Sequence, residues 1–341
     1  MDRLAHYIGQ QPEVVEACAQ FARSAFAEIS VDRGLAMVAS GSSLNALLSV
    51  APALRGLVGE LRLYNPIDFL DDLAEGRCAG FTVLVLSQSG ASQTSIDAVA
   101  GAVAHGLPTF VLTADAQAAI GGAGGVLLEM PIGKEALGPK TMGYTGSLTA
   151  LFGLVAALGG PSAIPTEPGK LVADILADYV APARALADAL DDLDYLMTAA
   201  RGRHMGTSAE AALKIAEITG VPAASFPLEE LQHGRLHAMS PRSATLVFAD
   251  NAADLVLAEA TVSALHSPGL KAWIVNFSDT PTPFDAFPPL PETLAPFDTL
   301  TGILPFQLVA HAMAVGRRID PGEMKYPDMS KRLGIKTDRR S

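Results

Sequence analysis

Two tandem α/β domains, each on a parallel sheet and related by duplication, are the fold this sequence predicts. Three observations carry that expectation: apolar runs that stop in small polar residues, helix-like segments between them, and recurrence of the series roughly 160 residues on. The clearest run spans Thr82 to Asp97, TVLVLSQSGASQTSID. Val83 to Leu86, with Phe81 just before, suit a strand buried on both faces of a parallel sheet. A hydroxyl-rich loop follows at once, and then a helix begins.

The strand runs fall into two sets. Gly34–Ser40, Val83–Leu86 and Thr109–Thr113 form the first; Tyr195–Ala200, Ala244–Phe248 and Ala272–Asn276 form the second. Gly41 corresponds to Gly202 and Leu107 to Leu270, each time at an offset of roughly 160 residues, which suits a duplicated domain of ordinary size. A Pro/Gly-rich linker at Gly159–Gly169 separates the halves, and a helix from about Lys170 to Asp192 leads into the second. The expected domains are residues 1–160, with an N-terminal helix starting near Pro12, and residues 170–341, with a C-terminal tail. Trp273 reads as core. The prolines of PTPFDAFPPLPETLAPF are too dense for a helix or an interior strand, so that segment reads as an ordered loop.

Composition narrows the functions. The 341 residues are 49% apolar, enough for two cores, and the formal charge is −12. No basic stripe offsets that charge, which argues against nucleic acid as a partner. Cys18 and Cys78 are the only cysteines and lack metal-ligand spacing, so a reduced, cytoplasmic home without a metal or other cofactor is expected. The N-terminus has no signal-peptide core, and Leu148 to Leu158 is too short to span a bilayer, so it reads as a buried helix and no membrane partner is expected.

The loop after Leu86 is the first candidate site. Ser87, Gln88, Ser89 and Ser92 precede a helix N-terminus, where backbone N–H groups and the helix dipole favour an anion. With no Lys or Arg in the loop, phosphate would be held by neutral donors, as in a sugar-phosphate pocket. The repeat is chemically unequal here. The second half carries ADNAADLV in place of SQSGASQT, and RGRHMG in place of SGSSLN. One phosphate site is therefore expected, in the first half.

The second candidate is SAEAALKIAEIT, Ser208 to Thr219. Glu210, Lys214 and Glu217 share one helical face, and the residues between are mostly Ala, Leu and Ile. One reading is a solvated face with salt bridges. The other is a buried helix whose charged stripe lines a cavity, where a carboxylate has a tunable pKa and can serve as a general base. His233, in EELQHGRL, sits at a helix end or turn; its nearness in sequence to the charged helix does not by itself separate a structural from a catalytic role.

The segments SGSSLNALL, VLVLSQSGASQTS, RGRHMGTSAEAALKIAEITGVPAASF and EELQHGRL resemble, in that order, the paired SIS (sugar isomerase) domains. That family includes glucosamine-6-phosphate synthase and stand-alone amino-sugar-phosphate deaminases and deglycases. The resemblance covers nearly the whole chain and implies two flavodoxin-like SIS domains. It implies that Ser42, Ser43, Ser87, Gln88, Ser89 and Ser92 bind the phosphate of a hexose phosphate. It also implies that Glu217 moves a proton between C1 and C2, with Lys214 and Glu210 as its functional neighbours. His233 would open the sugar ring, reaching into the other subunit of a homodimer. Lys336, in KRLGIKTDRRS, corresponds to a C-terminal lysine that enters the family's site.

Two departures bear on the reaction. The chain starts almost directly at the SIS pair, with no N-terminal cysteine and glutaminase domain, so amide transfer from glutamine is not expected. The substrate loop reads GKEALGPKTMGYTGS, and its Lys140 and Thr141 would meet a different substituent at C1 or C2. The expected activity is an isomerase acting on amino-hexose 6-phosphates, with deamination of glucosamine 6-phosphate first and deglycation of a fructosamine 6-phosphate second. A sugar-phosphate sensor is the rival from another class, but a pure sensor has no use for Glu217 and His233. A dinucleotide-dependent dehydrogenase fails for want of G-x-G-x-x-G.

Overall fold

The computed structural model describes residues 2–337. In chain order its elements begin α1 (Arg3–Gly9), α2 (Gln11–Ala22), β1 (Gly34–Val38), α3 (Ser42–Leu54), β2 (Leu61–Tyr64) and α4 (Pro66–Ala74). Next come β3 (Phe81–Leu86), α5 (Gln93–Ala104), β4 (Thr109–Thr113), β5 (Val126–Glu129), α6 (Met142–Ala157), α7 (Pro168–Asp178) and α8 (Val180–Ala189). The second half continues with β6 (Tyr195–Ala200), α9 (His204–Thr219), β7 (Ala223–Pro227), α10 (Leu228–Gln232), β8 (Ser243–Ala249), α11 (Ala252–His266) and β9 (Lys271–Asn276). Two helices close the series, α12 (Asp298–Gly316) and α13 (Met329–Arg332).

The first sheet has the order β2-β1-β3-β4-β5 and is parallel throughout. This is the doubly wound, flavodoxin-like order, whose switch point lies between β1 and β3. The second sheet, β7-β6-β8-β9, is parallel and repeats that order with one strand fewer. Where a fifth strand would lie, the proline-rich loop makes a single parallel bridge, Ile274 to Asp285. Prolines lack the N–H a longer ladder needs. Duplication is visible in the turns as well: Gly41 and Gly202 both sit at left-handed φ, 58° and 59°.

Central strands are wholly buried, as apolar runs in a covered parallel sheet must be. In the first unit Val83, Val85, Phe81, Val99 and Phe69 share a core on one sheet face. In the second, Met197, Val247, Ile274, Val262 and Leu231 do the same. The apolar segment at Leu148–Leu158 lies in α6 as far as Ala157, with Leu158 as its C-cap, and is buried through Val155. Among the described residues α12 alone is long and apolar enough to cross a membrane, but 72% of its window is buried within the protein, as in a core helix.

The compact units differ from the boundaries expected from sequence. One comprises Gln10–Ala136, Lys140–Gly169 and the described residues from Tyr326 on; the other comprises α1, Leu137–Pro139 and Lys170–Lys325. Each terminus thus belongs to the opposite half. The reason is local: α1 packs on α12, with Asp2 bonded to His311 at 2.5 Å, while the tail donates from Thr337 N to Ala91 O and accepts from Gln93 N at Ile335 O. The last four residues of the expected 170–341 domain lie outside the described ones.

Three smaller expectations are corrected. The helix expected over Lys170–Asp192 is two, α7 and α8, broken at Tyr179. Trp273 is half-buried, because β9 is an edge strand whose alternate residues Ala272 and Ile274 take the core positions. Strands β2, β5 and β7 had no counterpart in the sequence reading.

Candidate functional site

The loop after β3 is built around Gly90, at φ 63°. A Cβ there would lie 2.6 Å from Ala118 Cβ and 2.9 Å from Ile120 Cγ2, so only glycine lets the loop fold down against its neighbours. Ser87 is buried at its base, and Ser89 is exposed. Ser92 is the N-cap of α5 but makes no side-chain cap bond, and its hydroxyl lies 3.4 Å from that of Thr94. Neither does any side chain cap α3, which begins at Ser42. Hydroxyls and two helix N-termini thus gather at the carboxyl ends of β1 and β3, where open α/β sheets bind ligands.

Two cavities open there. A small recess is lined by Ser42, Ser43, Gln88, Lys140, Tyr144 and Ser147, among others. A second, of about 330 Å³, shares Gln88 and Lys140 and reaches Ser89, Asp115, Lys134 and Thr337. The structure therefore brings Ser42, Ser43, Gln88, Ser89 and Lys140 together. Lys336 is placed by its backbone bridge to Ser92; its side chain is exposed, and it is the neighbouring Thr337 that lines the cavity.

Thr141 departs from expectation. It is fully buried, and its N–H and hydroxyl both donate to Glu135 Oε1 at 2.8 Å. Gly143 N donates to Glu135 Oε2 at 2.9 Å, so this carboxylate plugs the N-terminus of α6, where negative charge is favoured. Thr141 shapes the loop instead of facing the cavity. Glu135 was not singled out in the sequence; an acid six residues before Thr141, outside any capping spacing, carries no local signal.

In the other unit, α9 is an Ala-rich helix of good helix formers, ended by Gly220 in the left-handed conformation at φ 71°. Glu210 and Lys214 are fully buried, while the Glu217 side chain keeps 20% of its exposure. The Lys214 ammonium lies 3.3 Å from Glu210 and 2.5 Å from Glu217. The solvated-stripe reading is thereby overturned: α9 packs against β6, β7 and α12, and two of the three charged residues are fully buried. His233 ends α10, just before Gly234 at φ 92°, with its ring 3.2 Å from Glu229 and 71% of its side chain exposed.

The repeat's own switch point, at the ends of β6 and β8, is chemically occupied. Asn251 Oδ1 caps α11 by accepting from Ala253 N and Asp254 N, and buried Asp254 pairs with Arg201 at 3.2 Å. Arg203 binds Asp298 through Nε at 2.8 Å and also engages Asp250. His204, fully buried, stacks on Phe277 with ring centres 3.8 Å apart, and its Nε2 lies 3.5 Å from Asp250 and 3.7 Å from Asp298. Burial alone would lower its pKa, but bonding and charge from Asp250 and Asp298 outweigh this and raise it. Burial would likewise raise Asp298, yet His204 and Arg203 hold it below the ordinary carboxylate range. His204, Asp250 and Asp298 are close enough to collect a metal ion, but Arg203 already neutralises both carboxylates. A larger cavity, of about 610 Å³ beside α8 and α12, is mostly apolar and carries none of the predicted residues.

The fold and these loci define a tandem, doubly wound α/β protein whose two switch points have diverged in chemistry. Over 312 residues the chain is 25% identical to the isomerising glutamine–fructose-6-phosphate aminotransferase of Acidithiobacillus ferridurans, a match covering 85% of this chain and 50% of that one. The chain spans about half the length of the curated relatives it matches first. A Clostridium difficile 630 protein assigned to the phosphosugar isomerases superposes with a TM-score of 0.79 at 19% identity, covering 99% of both chains. Glucosamine-6-phosphate deaminase from Thermotoga maritima does so with a TM-score of 0.71 at 15% identity, covering 95% of this chain and 98% of that one. No family model matches. By fold the chain is similar to these phosphosugar isomerases, and in sequence it is similar to the aminotransferase's isomerising relatives, in keeping with the resemblance to paired SIS (sugar isomerase) domains carried by its motifs.

Proposed function

We propose that this protein is a phosphosugar isomerase that acts on amino-substituted hexose 6-phosphates and releases the amine. The observation that carries this reading is the Glu210–Lys214–Glu217 trio, in which two members are buried and only Glu217 keeps a face to solvent. Lys214 holds that carboxylate in place, as a general base requires. The hydroxyl cradle at Ser42, Ser43 and Ser87–Ser92 supports a phosphate handle held by neutral donors.

In the proposed chemistry His233 opens the ring and Glu217 takes the proton from the carbon beside the carbonyl. The resulting enolamine is reprotonated on the neighbouring carbon, leaving an imine. Water adds to that imine, the C–N bond breaks, and amine and hexose 6-phosphate are released without any change in overall oxidation level. From glucosamine 6-phosphate the products are ammonia and fructose 6-phosphate. From a fructosamine 6-phosphate they are a free amine and glucose 6-phosphate. The reading includes a cytoplasmic homodimer in which the exposed His233 serves the partner's site.

Replacing Glu217 by Gln tests the reading. Amine release should fall by about 10³-fold while hexose-phosphate affinity, measured by calorimetry, stays within twofold or so, since the cradle is untouched. Wild-type turnover in that variant would remove the proposal.

A further inference from the structure

The cavity of about 610 Å³ beside α8 and α12 belongs to neither locus described above, and its size is that of a small-molecule site. Helices of one compact unit wall it, each with one stripe of residues. Val180, Arg184 and Asp188 follow at four-residue steps on α8, and Leu308, Ala312 and Val315 at steps of four and three on α12. From α1 come Ile8 and Gly9. The wall is largely apolar but unfilled: Val180 and Val315 keep 54% and 49% of their exposure, and a Cβ at Gly9 or Gly316 would meet nothing within 4 Å.

Two opposite charges stand in that wall without partners. Arg184 and Asp188 are both exposed, and among the described residues neither side chain makes an ion pair or hydrogen bond. They do not close on each other, in keeping with the less favourable order on a helix, a cation four residues before an anion. The remaining ionisable group of the wall, His311, is taken: its Nε2 lies 2.5 Å from Asp2 Oδ2. These facts select a ligand by charge. An anion alone would meet the Asp188 carboxylate and a cation alone the Arg184 guanidinium, while an uncharged apolar molecule would strip water from both. A zwitterion answers both charges, and an apolar body answers the rest of the wall.

We propose that this cavity binds an α-amino acid with a large apolar side chain, its carboxylate on Arg184, its ammonium on Asp188 and its side chain against α12 and α1. Arg184 offers a planar fork that a carboxylate can meet with two parallel bonds. The ligand carries its two charges on one carbon, close enough together to be reached from Cβ atoms roughly 5–6 Å apart on one helix face. No covalent step is involved. The site is separate from the sugar-phosphate chemistry proposed above, so neither reading depends on the other.

Calorimetry on the full chain with four probes tests this: L-phenylalanine, 3-phenylpropanoate, 2-phenylethylamine and glycine, of which the last three each lack one recognised feature. Phenylalanine should bind, and each of the others should bind on the order of tenfold more weakly or worse. Arg184→Gln should weaken phenylalanine about tenfold without weakening 2-phenylethylamine, and Asp188→Asn should weaken it as much without weakening 3-phenylpropanoate. Both residues are exposed, so both variants should keep the wild-type melting temperature. Ala312→Phe should fill the cavity and abolish phenylalanine binding; if it fails to fold, the two charge variants decide. Binding of 3-phenylpropanoate or 2-phenylethylamine as tight as that of phenylalanine would make the ligand a simple amphiphile and overturn the assignment. Phenylalanine binding left intact by both charge variants would overturn it too, as would no binding of phenylalanine at millimolar concentration.

Discussion

Lys214 donates to Glu217 at 2.5 Å from a position with no solvent exposure, and on its other side it faces the equally buried Glu210 at 3.3 Å. Removing one partner of such a group leaves an uncompensated charge in a poorly solvated place. Lys214→Met should destabilise its unit by roughly 3 kcal/mol or more. Adding Glu210→Gln should recover part of that loss, because the orphaned charge goes with it. Urea melts of the single and double variants measure this; equal stability of the two would contradict it.

If His233 serves the partner's site, inactive variants should complement one another. Glu217→Gln and His233→Asn, each inactive alone, should recover about a quarter of wild-type activity after mixing and subunit exchange, since one site of each mixed dimer is intact. No recovery, with exchange verified by size analysis of tagged subunits, would place His233 in its own subunit's site.

Gly90→Ala should damage the anion loop. The added Cβ would meet Ala118 and Ile120 well inside contact distance, at a φ that L residues rarely adopt. A loss of about 2 kcal/mol or more is expected, together with weaker hexose-phosphate binding. Thermal melts with and without fructose 6-phosphate report both effects.

Glu135→Ala should strip the α6 N-terminus of three hydrogen bonds and leave buried donors unpaired. The expected cost is about 2–4 kcal/mol, with disorder of the Lys140 loop. Glu135→Gln should cost less, because the amide oxygen still accepts. Proteolytic nicking between Gly133 and Lys140 would be the local signature.

The His204 network gives a pH dependence with a definite sign. The folded pKa of His204 is raised, so its contribution is fully present below the unfolded value and is lost as pH rises through the folded one. Asp298 is depressed, so its contribution holds above the ordinary carboxylate range and is lost as pH falls through its folded value. The stability difference between wild type and His204→Gln should therefore shrink as pH is raised from near 6 towards 9. A difference that grows over that range would reverse the assignment.

Most of the strands that could be read from the chain share one physical property. β1, β3, β4, β6 and β8 are covered on both faces, so their residues are predominantly apolar, broken only by Thr and Ser; β9, an edge strand, was legible through its apolar run alone. β2, β5 and β7 are edge strands with mixed exposure, and sequences such as LRLY, VLLE and AASFP carry no comparable pattern. The same division runs through the sites. Ser87–Ser92 is contiguous and follows a strand, so its role as a helix-terminus cradle is local information. The Arg203–Asp250–Asp298 network is assembled from separate segments, and Glu135 meets Thr141 and Gly143 across an irregular loop that has no periodic pattern.

What the amino-acid order determined alone is whatever acts between near neighbours: the buried strands, the loop chemistry that follows them, and the single stripe of Glu210, Lys214 and Glu217 on one helix. Burial of that stripe was left to tertiary packing, because the helix is equally consistent with a wet face until the folded chain encloses it. Packing also sent the two termini to opposite units and turned Glu135 inward. It brought Arg203 to Asp250 and Asp298, since proximity between distant segments is a property of the folded chain and leaves no periodicity to read.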